Sequence, residues 1–146
     1  MAILCPRCLD LLEDLEPLEA LGTVFVNAAR LGHAECMRAA HRDGRLAPGD
    51  RTLDEALCAA ARAGYAGAMG AIYDWGATPR GVGAALVSAA DGGRPGCARL
   101  AHGWLVAAVD AGSLPEDAAV GYLRTATATA ARHTRTTAAP YASRAA

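Results

Sequence analysis

No lysine occurs anywhere in this chain of 146 residues: all 14 basic side chains are arginine, set against 15 acids for a formal net charge of -1. A balance of this kind lacks the clustered basic face that a phosphate backbone requires, which argues against nucleic acid as a partner. The missing lysine, beside abundant Ala, Gly and Arg, fits a GC-rich genome better than a functional device. Aromatic residues are scarce too, at 5%, so the core is not built around rings. β-Branched runs of strand length are missing, which argues against an extended sheet. No uncharged apolar run reaches the about 18 residues of a membrane span, and Met1 to Leu4 is too short for the apolar region of a signal peptide. Five cysteines (Cys5, Cys8, Cys36, Cys58 and Cys97) are an odd number without the density of a secreted scaffold. They point to a reducing compartment, expected to be the cytoplasm.

What is present is apolar and small. Apolar residues make up 53% of the chain, and alanine alone supplies about a quarter of it. Alanine is the best helix former, and its methyl side chain lets helices approach closely. Leu, Val, Ile and Met then fill the larger gaps. The length supplies one domain able to bury a core. Charge is uneven: Asp10, Glu13, Asp14, Glu16 and Glu19 crowd the first segment, whereas after Asp117 only Arg124, Arg132, Arg135 and Arg144 are charged. A solvated face and a frayed end account for this better than an interaction does.

Three segments align without gaps, starting at Val24, Ala56 and Ala85. Gly32, Gly64 and Gly93 fall in register, each shortly after a pair of alanines. Met37 matches Met69, Cys36 matches Cys97, Trp75 matches Trp104, and His41 matches both Tyr73 and His102. Each segment reads as a short helix, a glycine turn, and a second helix running back antiparallel to end near Gly44 or Gly76. Turn-rich linkers, Arg45 to Asp50 and Ala77 to Gly81, separate the units. Thr52 with Glu55 has the spacing of a capping box.

The flanks read as caps, giving four parts. Residues 1–20 hold a short amphipathic helix over Cys8 to Leu15, broken by Pro17. Residues 21–112 hold the repeats. Ser113, Pro115 and Glu116 open a capping helix over 113–131, and 132–146, rich in Thr, Ala and Arg, read as a mobile tail. The predicted fold class is all-α, a short α-solenoid of about three helix-turn-helix units between capping helices.

The segment Gly32-His33-Ala34-Glu35-Cys36-Met37 and the closing Trp75-Gly76-Ala77 resemble the turns of ankyrin repeats. The similarity covers about residues 21–106 and is nearest to divergent repeats common in large DNA viruses of amoebae, with a Cys after the Gly-His turn. The sequence departs from the family in three ways. Its Thr-Pro-Leu-His opening is replaced by Thr23-Val-Phe-Val, Glu55-Ala-Leu-Cys and Ala84-Ala-Leu-Val. The turn histidine becomes Tyr65 and then Arg94. Successive turn glycines lie 32 and then 29 residues apart, against a family norm of about 33. The resemblance implies recognition of a protein partner through the finger tips and the first-helix face, with no intrinsic chemistry and no cofactor.

The expected contact set comprises Arg45, Arg51, Thr78 and Arg80 in the fingers, with Asp74 and Trp75 beside them. Trp75 and Trp104 recur at one repeat position, which suits packing between units as well as a binding anchor. Cys5-Pro6-Arg7-Cys8 is the most chemistry-like motif. It supplies half of a tetrahedral zinc set that His33 and Cys36 could complete, yet the repeat pattern already explains His33 as a turn residue and Cys36 as core. A redox role would want a strand before the motif, and Met1 to Leu4 barely supplies one. Cys58 and Cys97 lie on apolar helix faces and read as core. No complete nucleophile–base set and no phosphate-cradling glycine loop is present. The expected function is therefore a non-catalytic protein-interaction module, with a structural component such as a virion protein as the alternative.

Overall fold

A computed structural model describes residues 17–44 and 48–145, with side chains for 22–42 and 48–132. Among the described residues are seven helices and no strand, so the all-α class holds. They are α1 (Pro17–Leu31), α2 (Ala34–Gly44), α3 (Arg51–Ala63), α4 (Ala66–Asp74), α5 (Pro79–Asp91), α6 (Pro95–Asp110) and α7 (Glu116–Ala145). Helices α1, α3, α5 and α7 pack in sequence as one layer. Helices α2, α4 and α6 form a second layer, each against the first-layer helix that precedes it.

The aligned positions do the same work in each unit. Val24, Phe25, Ala28 and Ala29 are buried on α1, as are Ala56, Leu57, Ala60 and Ala61 on α3 and Ala85, Leu86, Ala89 and Ala90 on α5. This i, i+1, i+4, i+5 stripe, with five alanines between α1 and α3 and six between α3 and α5, is what lets first-layer helices lie side by side. The returning helices answer with Cys36, Met37 and Ala40, then Met69 and Ile72, then Cys97 and Ala101. Gly83 lies where the ring of Tyr122 rests on α5, and a Cβ there would collide with it.

One turn geometry recurs at the three aligned glycines. His33 N–H donates to the Ala28 carbonyl (2.9 Å) and Gly32 N–H to that of Ala29 (3.3 Å). The pattern repeats as Tyr65 to Ala60 (3.0 Å) with Gly64 to Ala61 (3.3 Å), and as Arg94 to Ala89 (2.8 Å) with Gly93 to Ala90 (3.2 Å). These are Schellman closures, which require a left-handed residue; φ is 72°, 92° and 67° at the three glycines. The carbonyl of the residue after each glycine then starts the next helix, accepting from Met37, Met69 and Ala98.

Several boundaries differ from the sequence reading. Pro17 opens α1 instead of breaking a helix, because proline suits the first helical turn; the predicted helix over Cys8 to Leu15 lies outside the described residues. Asp50, not Thr52, caps α3: its carboxylate accepts from the Thr52 N–H at 2.8 Å. Glu55, freed from a capping box, pairs with Arg51 at 3.2 Å. The last helix runs on past residue 131, where a mobile tail was expected, and ends at Ala145. Within it Thr125, Thr127 and Thr129 satisfy their hydroxyls by donating to carbonyls one turn back.

Candidate functional site

The edge where the units are joined is built from hydrogen bonds between them. Thr78 is the N-cap of α5, its hydroxyl accepting from Gly81 N–H at 3.0 Å. The same hydroxyl donates to Asp54 on α3 at 2.7 Å, and the Thr78 N–H donates to the other oxygen of that carboxylate at 2.8 Å. Further out, Gly49 N–H donates to the Gly76 carbonyl at 2.8 Å, tying one connection to the next. Pro48 lies against Gly76 at the same place. The edge is thus a fixed surface carried by α3 and α5.

Behind it the second layer stacks its rings. His41 lies on Trp75 with centroids 4.1 Å apart and planes 9° off parallel; Tyr73 lies on Trp104 at 4.2 Å and 3°. Phe25 meets both His41 and Trp75 in tilted contacts, at 6.2 and 5.9 Å. In each case the aromatic of one unit stacks on the tryptophan of the next. His102, third in the His41 and Tyr73 series, is exposed. Burial between the rings lowers the pKa of His41 below its ordinary value, because a charged imidazole loses hydration there. The Tyr73–Trp104 stack forms one wall of a groove of about 530 Å³, with Asp74, Pro79, Ala107 and Ser113 on its other sides.

The predicted contact residues divide into two groups. Arg51, Asp74 and Arg80 are exposed; Arg51 and Arg80 stand on the first turns of α3 and α5 rather than in loops. Thr78 and Trp75 are half-buried and spend their polar groups and ring faces on neighbouring units. Arg45 lies outside the described residues. So do Cys5 and Cys8, while His33 occupies its turn and Cys36 is buried in the core. Among the described residues no three His, Cys, Asp or Glu side chains converge on a metal-sized site.

Sequence reasoning missed a second concavity, on the first-layer face. Arg30, Cys58, Arg62 and Ser88 line about 360 Å³ there. Arg30, Arg62 and Asp91 occupy one repeat position, a signal the alignment contained. Arg62 bridges to Asp91 at 2.7 Å across units, and Arg30 donates to Asn27 at 3.2 Å on its own helix. Burial raises the pKa of the Cys58 thiol; the hydrogen bond with Ser88 opposes this and nearby Asp54 adds to it. A thiol held neutral in this way is a poor nucleophile.

No protein-family model, curated protein or solved structure matches the chain. Among the described residues no helix is long and apolar enough to cross a membrane.

Proposed function

We propose that the chain is a non-catalytic protein-binding module of the ankyrin type, a short α-solenoid of three helix pairs closed by α7. The observation that carries this reading is the threefold recurrence of one turn, at Gly32, Gly64 and Gly93, with the same stripe buried before each. Units of this kind bury apolar surface only against their neighbours, which leaves one edge and one face of every unit available to a partner. On this reading the partner lies along the α3–α5 edge. Arg51, Asp74 and Arg80 make direct contact, and the groove beside the Tyr73–Trp104 stack takes up an apolar side chain. Thr78 and Trp75 position that edge through Asp54 and His41.

Proximity labelling in native cells followed by mass spectrometry identifies the partner, and titration of the purified pair tests the surface. Arg51→Glu with Arg80→Glu is expected to weaken binding by about tenfold or more at unchanged helicity. Unaltered affinity in that double variant would remove the edge as the contact surface.

A further inference from the structure

The outward face of α6 differs from that of α2. Arg99, His102, Gly103, Val106, Ala107 and Asp110 are all exposed. Their spacing puts them on one stripe, opposite the buried Cys97, Ala101 and Leu105. At the position of Gly103, α2 carries the exposed Arg42. Val106 is 44% exposed, one of three large apolar side chains among the described residues that are exposed to solvent rather than packed in the core. The stripe is therefore apolar and small at its centre and charged at its ends.

Those ends carry opposite signs. Arg99 stands toward the start of α6 and Asp110 is its last residue, and neither enters an ion pair among the described residues. Asp110 also sits at the negative end of the helix dipole, where a carboxylate is disfavoured. A face with this arrangement is complementary to itself when reversed. Two α6 helices laid antiparallel about a twofold axis passing between Trp104 and Leu105 place Arg99 of each opposite Asp110 of the other. Gly103 then faces Val106, and His102 faces Ala107. Open space lies where a Cβ of Gly103 would be, so the helices can approach closely and the Val106 side chain of one copy can enter above the glycine of the other. Mutual pairing of this kind, residue i with j and j with i, is the signature of an isologous interface.

We propose that α6 is a homodimer interface, and that its occupant is the α6 of a second copy of this chain, antiparallel and held by two Arg99–Asp110 pairs. A single helix pair buries less than the about 800 Å² per partner of a standard stable interface, so the dimer is weak and forms with rising concentration. This inference does not depend on the ankyrin reading.

Sedimentation equilibrium of the full chain, up to the highest soluble concentration, tests it. The wild type is expected to pass from monomer to dimer. Arg99→Asp and Asp110→Arg should each weaken self-association by about tenfold or more, since each leaves two like-charged contacts. Mixing the two single variants in equal amounts should restore association as a heterodimer, because both contacts are then opposite in sign. The double variant Arg99→Asp/Asp110→Arg should dimerise alone. A misfolded variant could not give this pattern of rescue. A wild type that stays monomeric, a dimer indifferent to both substitutions, or a mixture that does not associate would each overturn the proposal.

Discussion

Asp54 accepts both donors of Thr78, a residue 24 positions further along the chain, through its two carboxylate oxygens. This contact joins the first turns of α3 and α5 and caps the second of them at the same time. Asp54→Ala leaves the Thr78 donors without their acceptor at a half-buried junction. It should cost about 1.5–3 kcal/mol in urea unfolding, the range for hydrogen bonds to a charged group. Thr78→Val alone should cost about 1–2 kcal/mol, since it removes both the cap and one of these bonds. The double variant should cost clearly less than the sum, because the two residues share one contact. Full additivity would show that the contact contributes little.

The stacked rings lead to a second expectation. Trp75→Ala removes the stack with His41 and the tilted contact with Phe25, whereas Trp104→Ala removes only the stack with Tyr73. Aromatic pairs contribute about 0.5–1.5 kcal/mol beyond the area they bury. Trp75→Ala should therefore be the more destabilising by about 1 kcal/mol in thermal or urea unfolding. Equal losses would mean that Phe25 is held by other neighbours.

Glycine substitutions separate close packing from open space. A Cβ at Gly92 would run into the backbone carbonyl of Arg62, which cannot turn aside as a side chain can. Gly92→Ala should destabilise the fold by about 1–3 kcal/mol, the usual range for overpacking. Gly70 lies within α4 with nothing near its missing Cβ. Gly70→Ala should raise stability by about 0.5–1 kcal/mol through helix propensity alone.

The half-buried imidazole gives a pH dependence with a definite sign. The pKa of His41 is lowered in the folded state, so the unfolded chain binds the proton more readily. Its contribution is complete above the ordinary histidine value of about 6.5 and is lost as pH falls below it toward the folded-state pKa. Between about pH 7 and 5 the melting temperature of the wild type should drop more than that of His41→Phe. Parallel curves would show that His41 is not responsible.

How much of this was legible in the sequence depended on whether a feature repeats. The register of Gly32, Gly64 and Gly93 was plain, and it marks three copies of one turn. The buried stripe followed from the same alignment, because each unit places alanines at the same positions. The recurrence of Trp75 and Trp104 was visible, and so was that of His41, Tyr73 and His102. Which ring lies on which was not visible, since it depends on how far one unit is displaced along the next. The Asp54–Thr78 contact was missed for a related reason: it joins one unit to another and occurs at a single junction, so no alignment could show it. Asp50 won over Thr52 as the cap because a charged carboxylate at the right place accepts the free N–H more strongly. The α6 stripe was in the sequence as well, but its meaning required knowing that Cys97, Ala101 and Leu105 face inward and leave its charged ends in water.

The paired rings also give the molecule a readout of its own. The chain has two tryptophans, and each lies across a different junction, one against an imidazole and the other against a phenol. With one tryptophan replaced by phenylalanine, the fluorescence of the other reports on a single junction. Protonation of the imidazole bears most directly on the emission of Trp75, the ring it stacks on, and least on that of Trp104 at the other junction. Each seam between units carries its own optical label, so loss of contact at one can be followed while the other stays closed.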